Sequence, residues 1–391
     1  AFREAYQLRE CQGTLGQQVY PFQFKNLLGV NISLILDSSF EVVDESMSVN
    51  LNEFPSGKEV YMNIATKKVL FKDESLIRST QPVEKMISIL LEGSSTRYDV
   101  YIKQARKRVF TFGSDKVVVN VEVLLGQKII SFTSLVLVKN HLNVPILIKY
   151  ANDHVVEMAG DVYPDSSLPL PLKAVSSPSG QLFFQPKTED YHFSACHEGI
   201  IWKNLTDNTK VKQITCETLD KGQPAYYFNI LPEFEKILEG NTRELLHEIV
   251  TLHLHPTVIL HNLLPFSVQM SLQGTSETHT LEAGHNIPLS HASVNESVLL
   301  VQIPAYRSHQ WAGRIEISNT APEIGTLRFK SEENGNPVYM FLGLHCKANE
   351  GSLDITVYSP YWIVNLTNQD LTLKENDKEI LFHHTKDDKE V

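Results

Sequence analysis

One pattern recurs four times along the 391 residues and constrains the fold more than any other feature. An apolar or aromatic stretch runs into an asparagine, a turn former follows three residues later, and apolar residues return six and eight residues after the asparagine. The first copy is Phe22-Gln23-Phe24-Lys25-Asn26, with Gly29 and then Ile32 and Leu34. The second is Val136-Leu137-Val138-Lys139-Asn140, with Asn143, Ile146 and Ile148. The third is Val258-Ile259-Leu260-His261-Asn262, with Pro265, Val268 and Met270. The fourth is Tyr361-Trp362-Ile363-Val364-Asn365, with Asn368, Leu371 and Leu373; it departs by carrying Gln369 where the others have Val or Phe. Apolar residues two apart share one face of a strand, so each copy reads strand, asparagine, turn, strand.

The distance between copies says what kind of repeat this is. Asn26 to Asn140 is 114 residues, Asn140 to Asn262 is 122, and Asn262 to Asn365 is 103. A period of that size is a small domain rather than a solenoid rung. The intervening stretches are mostly strand-like: Lys116 to Leu125 is β-branched and partly alternating, ending at Gly126-Gln127, and Leu299 to Ile303 and Gly313 to Ser318 alternate in the same way. Turn clusters such as Ser177-Pro178-Ser179-Gly180 separate them. Two short stretches, Pro82 to Leu91 and Phe234 to Leu238, fit either helical spacing or a strand edge. The expected fold is all-β, a tandem array of β-sandwich-like repeats of about 100–120 residues with little helix. The expected boundaries are a leader at 1–17, repeats at 18–131, 132–253 and 254–357, and a truncated fourth repeat at 358–391. The strands at 359–374 are expected to pack on the third repeat, because an isolated hairpin is not stable alone.

An asparagine at a strand end has a physical use. Its short amide tolerates the left-handed region and bonds the backbone one or two residues on, which fixes a turn. Two readings of Asn26, Asn140, Asn262 and Asn365 stay open at this stage. They set the turns and touch no ligand, or the hairpins they build present an edge or groove to a partner peptide.

These motifs, above all Ser359-Pro360-Tyr361-Trp362-Ile363-Val364-Asn365 and Pro256 to Pro265, resemble the adaptor-binding region of the vacuolar protein sorting 13 family of bridge-like lipid transfer proteins. The similarity runs from Pro21 to Leu373, and Asn26, Asn140, Asn262 and Asn365 match the family's one signature asparagine per repeat. The resemblance implies a non-enzymatic module, the N-terminal half of a six-repeat region, that docks organelle adaptor proteins through short proline-containing peptides. It implies a cytoplasmic, peripheral location at membrane contact sites, with other regions of the full-length chain as further partners. The family associates the peptide surface mainly with the later repeats. A spacer role without a peptide site and an extracellular β-sandwich array are the alternatives. The second of these rests on the sequons at Asn31, Asn204, Asn295 and Asn365.

Composition excludes other classes. A net charge of -11 argues against nucleic-acid binding and against bulk electrostatic adhesion to anionic lipid. No run of 18 apolar residues offers a transmembrane helix. Cys11, Cys196, Cys216 and Cys346 lack pairing or metal-like spacing and read as reduced thiols. No nucleotide, hydrolase or metalloprotease signature occurs, so no catalytic residue and no cofactor is expected. His253-Leu254-His255, with His261 beyond, has the His-x-His spacing of a zinc site on a strand, but Pro256 interrupts and the third ligand is not evident; solvent-facing histidines are the expectation, with no metal. Arg106-Lys107-Arg108, near Lys103, is the dense basic cluster. It reads as a solvated hairpin flank, or as a contact for a phosphoinositide headgroup or an acidic partner.

Overall fold

The computed structural model describes residues 21–36, 40–42, 53–64, 86–152, 155–206, 211–220, 222–240, 246–275, 278–306, 309–349, 351–361, 371–375 and 378–382. Strands dominate throughout, and the described helix amounts to a single turn at Leu172–Ser176 and a 3-10 turn at Trp202–Asn204. The all-β expectation is met. Both stretches left open between helix and strand are extended where described, as Met86–Leu91 and as the end of Tyr226–Leu238. The chain divides into two compact units, one of residues 1–187, 195–210 and 232–254, the other of 188–194, 211–231 and 255–391.

The first unit holds two of the asparagine strands. Phe22–Asn26 lies inside a six-stranded sheet, antiparallel to Glu59–Ile64 on one side and parallel to Gln127–Thr133 on the other. The turn after Asn26 sends the chain into a separate three-stranded sheet, where Ile32–Leu36 pairs with Met86–Leu91 and that in turn with Arg97–Tyr101. One core joins the two sheets, with Phe24, Phe54, Met62, Phe110 and Phe132 facing Leu34, Ile87, Ile89 and Val100. Val136–Asn140 repeats the arrangement, antiparallel to Ser167–Pro169 and parallel to Leu246–Pro256 from Val250 to Leu254. After its turn, Ile146–Asn152 joins a four-stranded sheet between Val155–Val162 and Gln181–Pro186.

The second unit builds its third copy from a nine-stranded sheet curled around one core. Val258–Leu263 again sits between a short antiparallel partner, Asn286–Pro288, and a parallel one, Ser352–Tyr358. In every described copy the parallel partner comes roughly a hundred residues later and ends one to three residues before the next asparagine strand, or before the segment that carries it. The last described strands, Leu371–Glu375 and Lys378–Phe382, pair only with each other among the described residues. Of the segment expected to pack on the third repeat, 362–370 lie outside the described residues. Ser359 and Tyr361 do line an apolar pocket with Pro265, Phe266, Tyr306 and Met340. The leader at 1–17 and Cys11 lie outside the described residues as well.

Candidate functional site

The three described asparagines are buried, at 0–1% exposure, and make the same set of bonds. The Asn26 side chain donates to the carbonyls of Val30 at 2.9 Å and Phe54 at 2.8 Å, and its Oδ1 accepts the Leu28 N–H at 3.1 Å. Asn140 donates to Val144 at 2.8 Å and Val162 at 3.1 Å, and accepts from Leu142 at 2.9 Å. Asn262 donates to Phe266 at 2.9 Å and Leu281 at 3.0 Å, and accepts from Leu264 at 3.0 Å; it has one bond more, to the Glu282 carbonyl at 3.2 Å. Each therefore clamps its own turn at the fourth residue and ties it to extended backbone 19 to 28 residues downstream. The leucine two residues on (Leu28, Leu142 or Leu264) is folded into the core by the same bond. Asn365 lies outside the described residues.

The backbone of each asparagine has a partner that sequence reasoning missed. The asparagine carbonyl accepts the N–H of Gly57, Asp165 or Gly284, and its own N–H donates to the carbonyl of the next residue, Lys58, Ser166 or His285. Gly57, Asp165 and Gly284 all have positive φ, at 74°, 54° and 75°. A left-handed residue is needed to aim the N–H back at the asparagine, and Gly and Asp are the types that adopt it at low cost. The signal was present in the sequence as three turn clusters, each 22 to 31 residues beyond its asparagine.

The turn former of the first copy also meets a neighbour. Gly29 has φ 76°, and a Cβ there would lie 2.6 Å from the Pro171 side chain, while Leu28 O accepts the Leu172 N–H at 2.7 Å. The first asparagine turn is thus packed against the helical turn that belongs to the second copy. Asn143 and Pro265 hold the equivalent places in the others.

The expected solvent-facing histidines are not all solvent-facing. His253 is mostly covered: its Nδ1 lies 3.0 Å from His141 Nε2, its Nε2 lies 2.8 Å from Glu233 Oε2, and the two imidazoles stack with centroids 5.3 Å apart. His261 lies 3.9 Å from the Asp354 carboxylate. The basic cluster is likewise engaged. Lys107 pairs with Glu235 at 2.7 Å, and the Arg108 guanidinium donates to the Gly240 carbonyl. Together with Asn120 to Leu124 and Glu235 to Leu238 these residues wall an open cleft on the first unit.

An eight-residue strand, Val155–Val162, ends the four-stranded sheet of the first unit and carries a bulge between Met158 and Gly160. Val155, Val156 and Met158 on it are 55–66% exposed. A sheet edge with exposed apolar residues is the geometry that accepts a further strand. Cys196, Cys216 and Cys346 are buried thiols that form no disulfide with one another, and burial pushes the Cys346 thiol pKa up.

The family described as "Vacuolar-sorting associated protein 13, adaptor binding domain" matches residues 67–390 of this chain. The chain belongs to that family. Among curated members of the vacuolar protein sorting 13 group it is 24% identical over 387 residues to the intermembrane lipid transfer protein VPS13C of Mus musculus. It is 24% identical over 373 residues to VPS13C of Homo sapiens, and 23% identical over 367 residues to VPS13A of Mus musculus. These alignments cover 90–95% of this chain and 10–11% of each relative, so the chain spans about a tenth of the length of the VPS13 proteins it matches.

Proposed function

We propose that this chain is a non-enzymatic adaptor-binding module that positions a lipid transfer protein at organelle membrane contact sites, working in the cytoplasm as a peripheral component. Membership of the adaptor-binding family over 67–390 carries the reading. The partners are adaptor proteins, recognised through short proline-containing peptides, and other regions of the full-length chain. Each asparagine opens one repeat in this reading, with limits near 18–131, 132–253 and 254–357, and the three parallel pairings that close on those strands support it. The buried asparagines act as architecture, since their side-chain bonds are taken up by backbone.

Peptide capture by strand addition belongs, in this proposal, at the Val155–Val162 edge, whose apolar side chains give sequence selectivity while its backbone gives affinity. The experiment is a titration of a fluorescent proline-containing peptide against the chain and against the same chain extended by two further repeats. Binding to the present chain that Met158→Asp weakens at least about tenfold supports the edge. Binding seen only in the extended chain moves the site to the later repeats and leaves this half as a spacer, a reading that the backbone-saturated asparagines also favour.

A further inference from the structure

The strand Asp115–Leu124 is buried along Val117, Val118, Val119 and Val121, and then its character changes. Its last partner on one side is Arg106, opposite Val121, so Glu122, Val123 and Leu124 run on beyond that neighbour, paired on the other side with Gln127 to Ile129. They lead to a two-residue turn, Leu125-Gly126, at the tip of the hairpin. Val123, Leu124 and Leu125 are 54%, 59% and 79% exposed, three consecutive apolar side chains at the end of the hairpin, the first two at the rim of the cleft.

The backbone makes the leucine stand out further. Among the described residues, four non-glycine residues have positive φ: Asp165, Asn295, Asn334 and Leu125. Three are Asp or Asn, the types that adopt the left-handed region readily; leucine is not. A two-residue hairpin with both residues left-handed favours Asn-Gly. The turn's backbone therefore does not select a leucine at 125, and its side chain is 79% exposed.

We propose that this hairpin tip inserts into the interface of an anionic lipid bilayer. Successive strand residues point to opposite faces, so Val123 and Leu124 lie on the two sides of the hairpin with Leu125 between them. A flat protein surface would cover one side; a fluid apolar layer surrounds all three. The flanks have the matching charge. Lys128 stands opposite Val123 and bonds the Lys103 carbonyl, and the adjoining cleft carries Arg106, Lys107 and Lys236. Glu235 pairs with Lys107, Glu248 lies 3.8 Å from Lys236 and Glu122 lines the same cleft, so Arg106 and Lys128 carry most of the remaining positive charge, within a chain of net charge -11. The inference does not rest on the adaptor-binding reading.

The test floats the full chain with vesicles of phosphatidylcholine mixed with phosphatidylserine, and with phosphatidylcholine alone. The wild type rises with the mixed vesicles, less so with phosphatidylcholine alone, and less as salt is raised. Leu125→Asn and Val123→Ser each cut the bound fraction about tenfold, from the apolar surface they remove. Leu125→Asn does so with a melting temperature equal to or above the wild type's, because the turn prefers asparagine. Wild-type protein that stays in solution overturns the proposal, and so does Leu125→Asn that floats like the wild type. Sedimentation showing a wild-type dimer that Leu125→Asn dissolves, with neither protein on vesicles, replaces the bilayer by a second copy of the chain and equally overturns it.

Discussion

Two hairpin tips in this molecule share a backbone and differ in chemistry. Asn334-Gly335 turns the chain between Ile324–Glu333 and Asn336–Asn349 in the second unit, with φ of 50° and 79°. Leu125-Gly126 turns it between Asp115–Leu124 and Gln127–Thr133 in the first, with φ of 48° and 81°. The first solution is what local sterics recommend. The second keeps the conformation and replaces the residue suited to it with an exposed leucine. The three positions that face the signature asparagines, Gly57, Asp165 and Gly284, follow the first solution as well. Among the described residues the other left-handed positions are Gly, Asp or Asn, and Leu125 is the one departure.

The largest effect separates buried asparagines from exposed ones. Asn140→Ala removes three side-chain hydrogen bonds and Asn262→Ala four, leaving carbonyls such as Val162 and Leu281 without that donor. The expected loss is about 3 kcal/mol in denaturant unfolding of the corresponding unit. Asn334→Ala touches only turn preference and is expected to cost about 1 kcal/mol or less. Equal losses at Asn334 and Asn262 would erase the distinction between clamp and tip.

Alkaline pH carries the comparison from turns to units. Burial pushes Tyr226, in the second unit, up to about 12, and burial with the Glu157 carboxylate beside it does the same for Tyr150, in the first. A phenol whose folded pKa lies above its ordinary value of about 10 favours the fold while neutral. Stability from both is therefore complete below about pH 10 and lost as pH climbs toward 12, by about 2 kcal/mol for the more deeply buried Tyr226. Thermal unfolding across that window should show both units weakening, with Tyr226→Phe flattening the response of the second alone.

Swapping the two tips gives smaller changes of opposite sign. Leu125→Asn is expected to raise stability and Asn334→Leu to lower it, each by about 1 kcal/mol, the scale of a single left-handed preference. A cost at both positions would mean that Leu125 packs in the folded state after all.

How much of this was legible in the sequence depends on sequence distance. The asparagine turns were, since the bonds that define them reach only two and four residues, and the return of Ile32 and Leu34, or Ile146 and Ile148, fixed the following strand. The parallel closure was not, because Asn26 meets Phe132 and Asn140 meets Leu254 across more than a hundred residues, and no local pattern encodes such a pairing. The downstream left-handed residues fell between the two cases: the turn clusters were visible, their link to the asparagines was not. The hairpin at Leu125 was visible as the end of a strand at Gly126-Gln127, but the exposure of its leucines depends on how far the neighbouring strand extends.

The basic cluster gives the smallest prediction. Read alone, Arg106-Lys107-Arg108 is a run of three like charges that either stays solvated or seeks a phosphate. In the fold Lys107 reaches Glu235, which is 128 residues away, with both side chains about half exposed. A pair of that kind contributes roughly 0.5 kcal/mol, screened by salt. A double-mutant cycle with Lys107→Ala and Glu235→Ala should return a coupling of about that size. The same Lys107→Ala should leave the affinity of the hairpin tip for vesicles within about twofold, because a lysine already neutralised by Glu235 adds little to a surface field. A larger drop would show that Glu235 releases Lys107 when the tip binds. The cleft would then belong with Leu125 as one membrane-facing element.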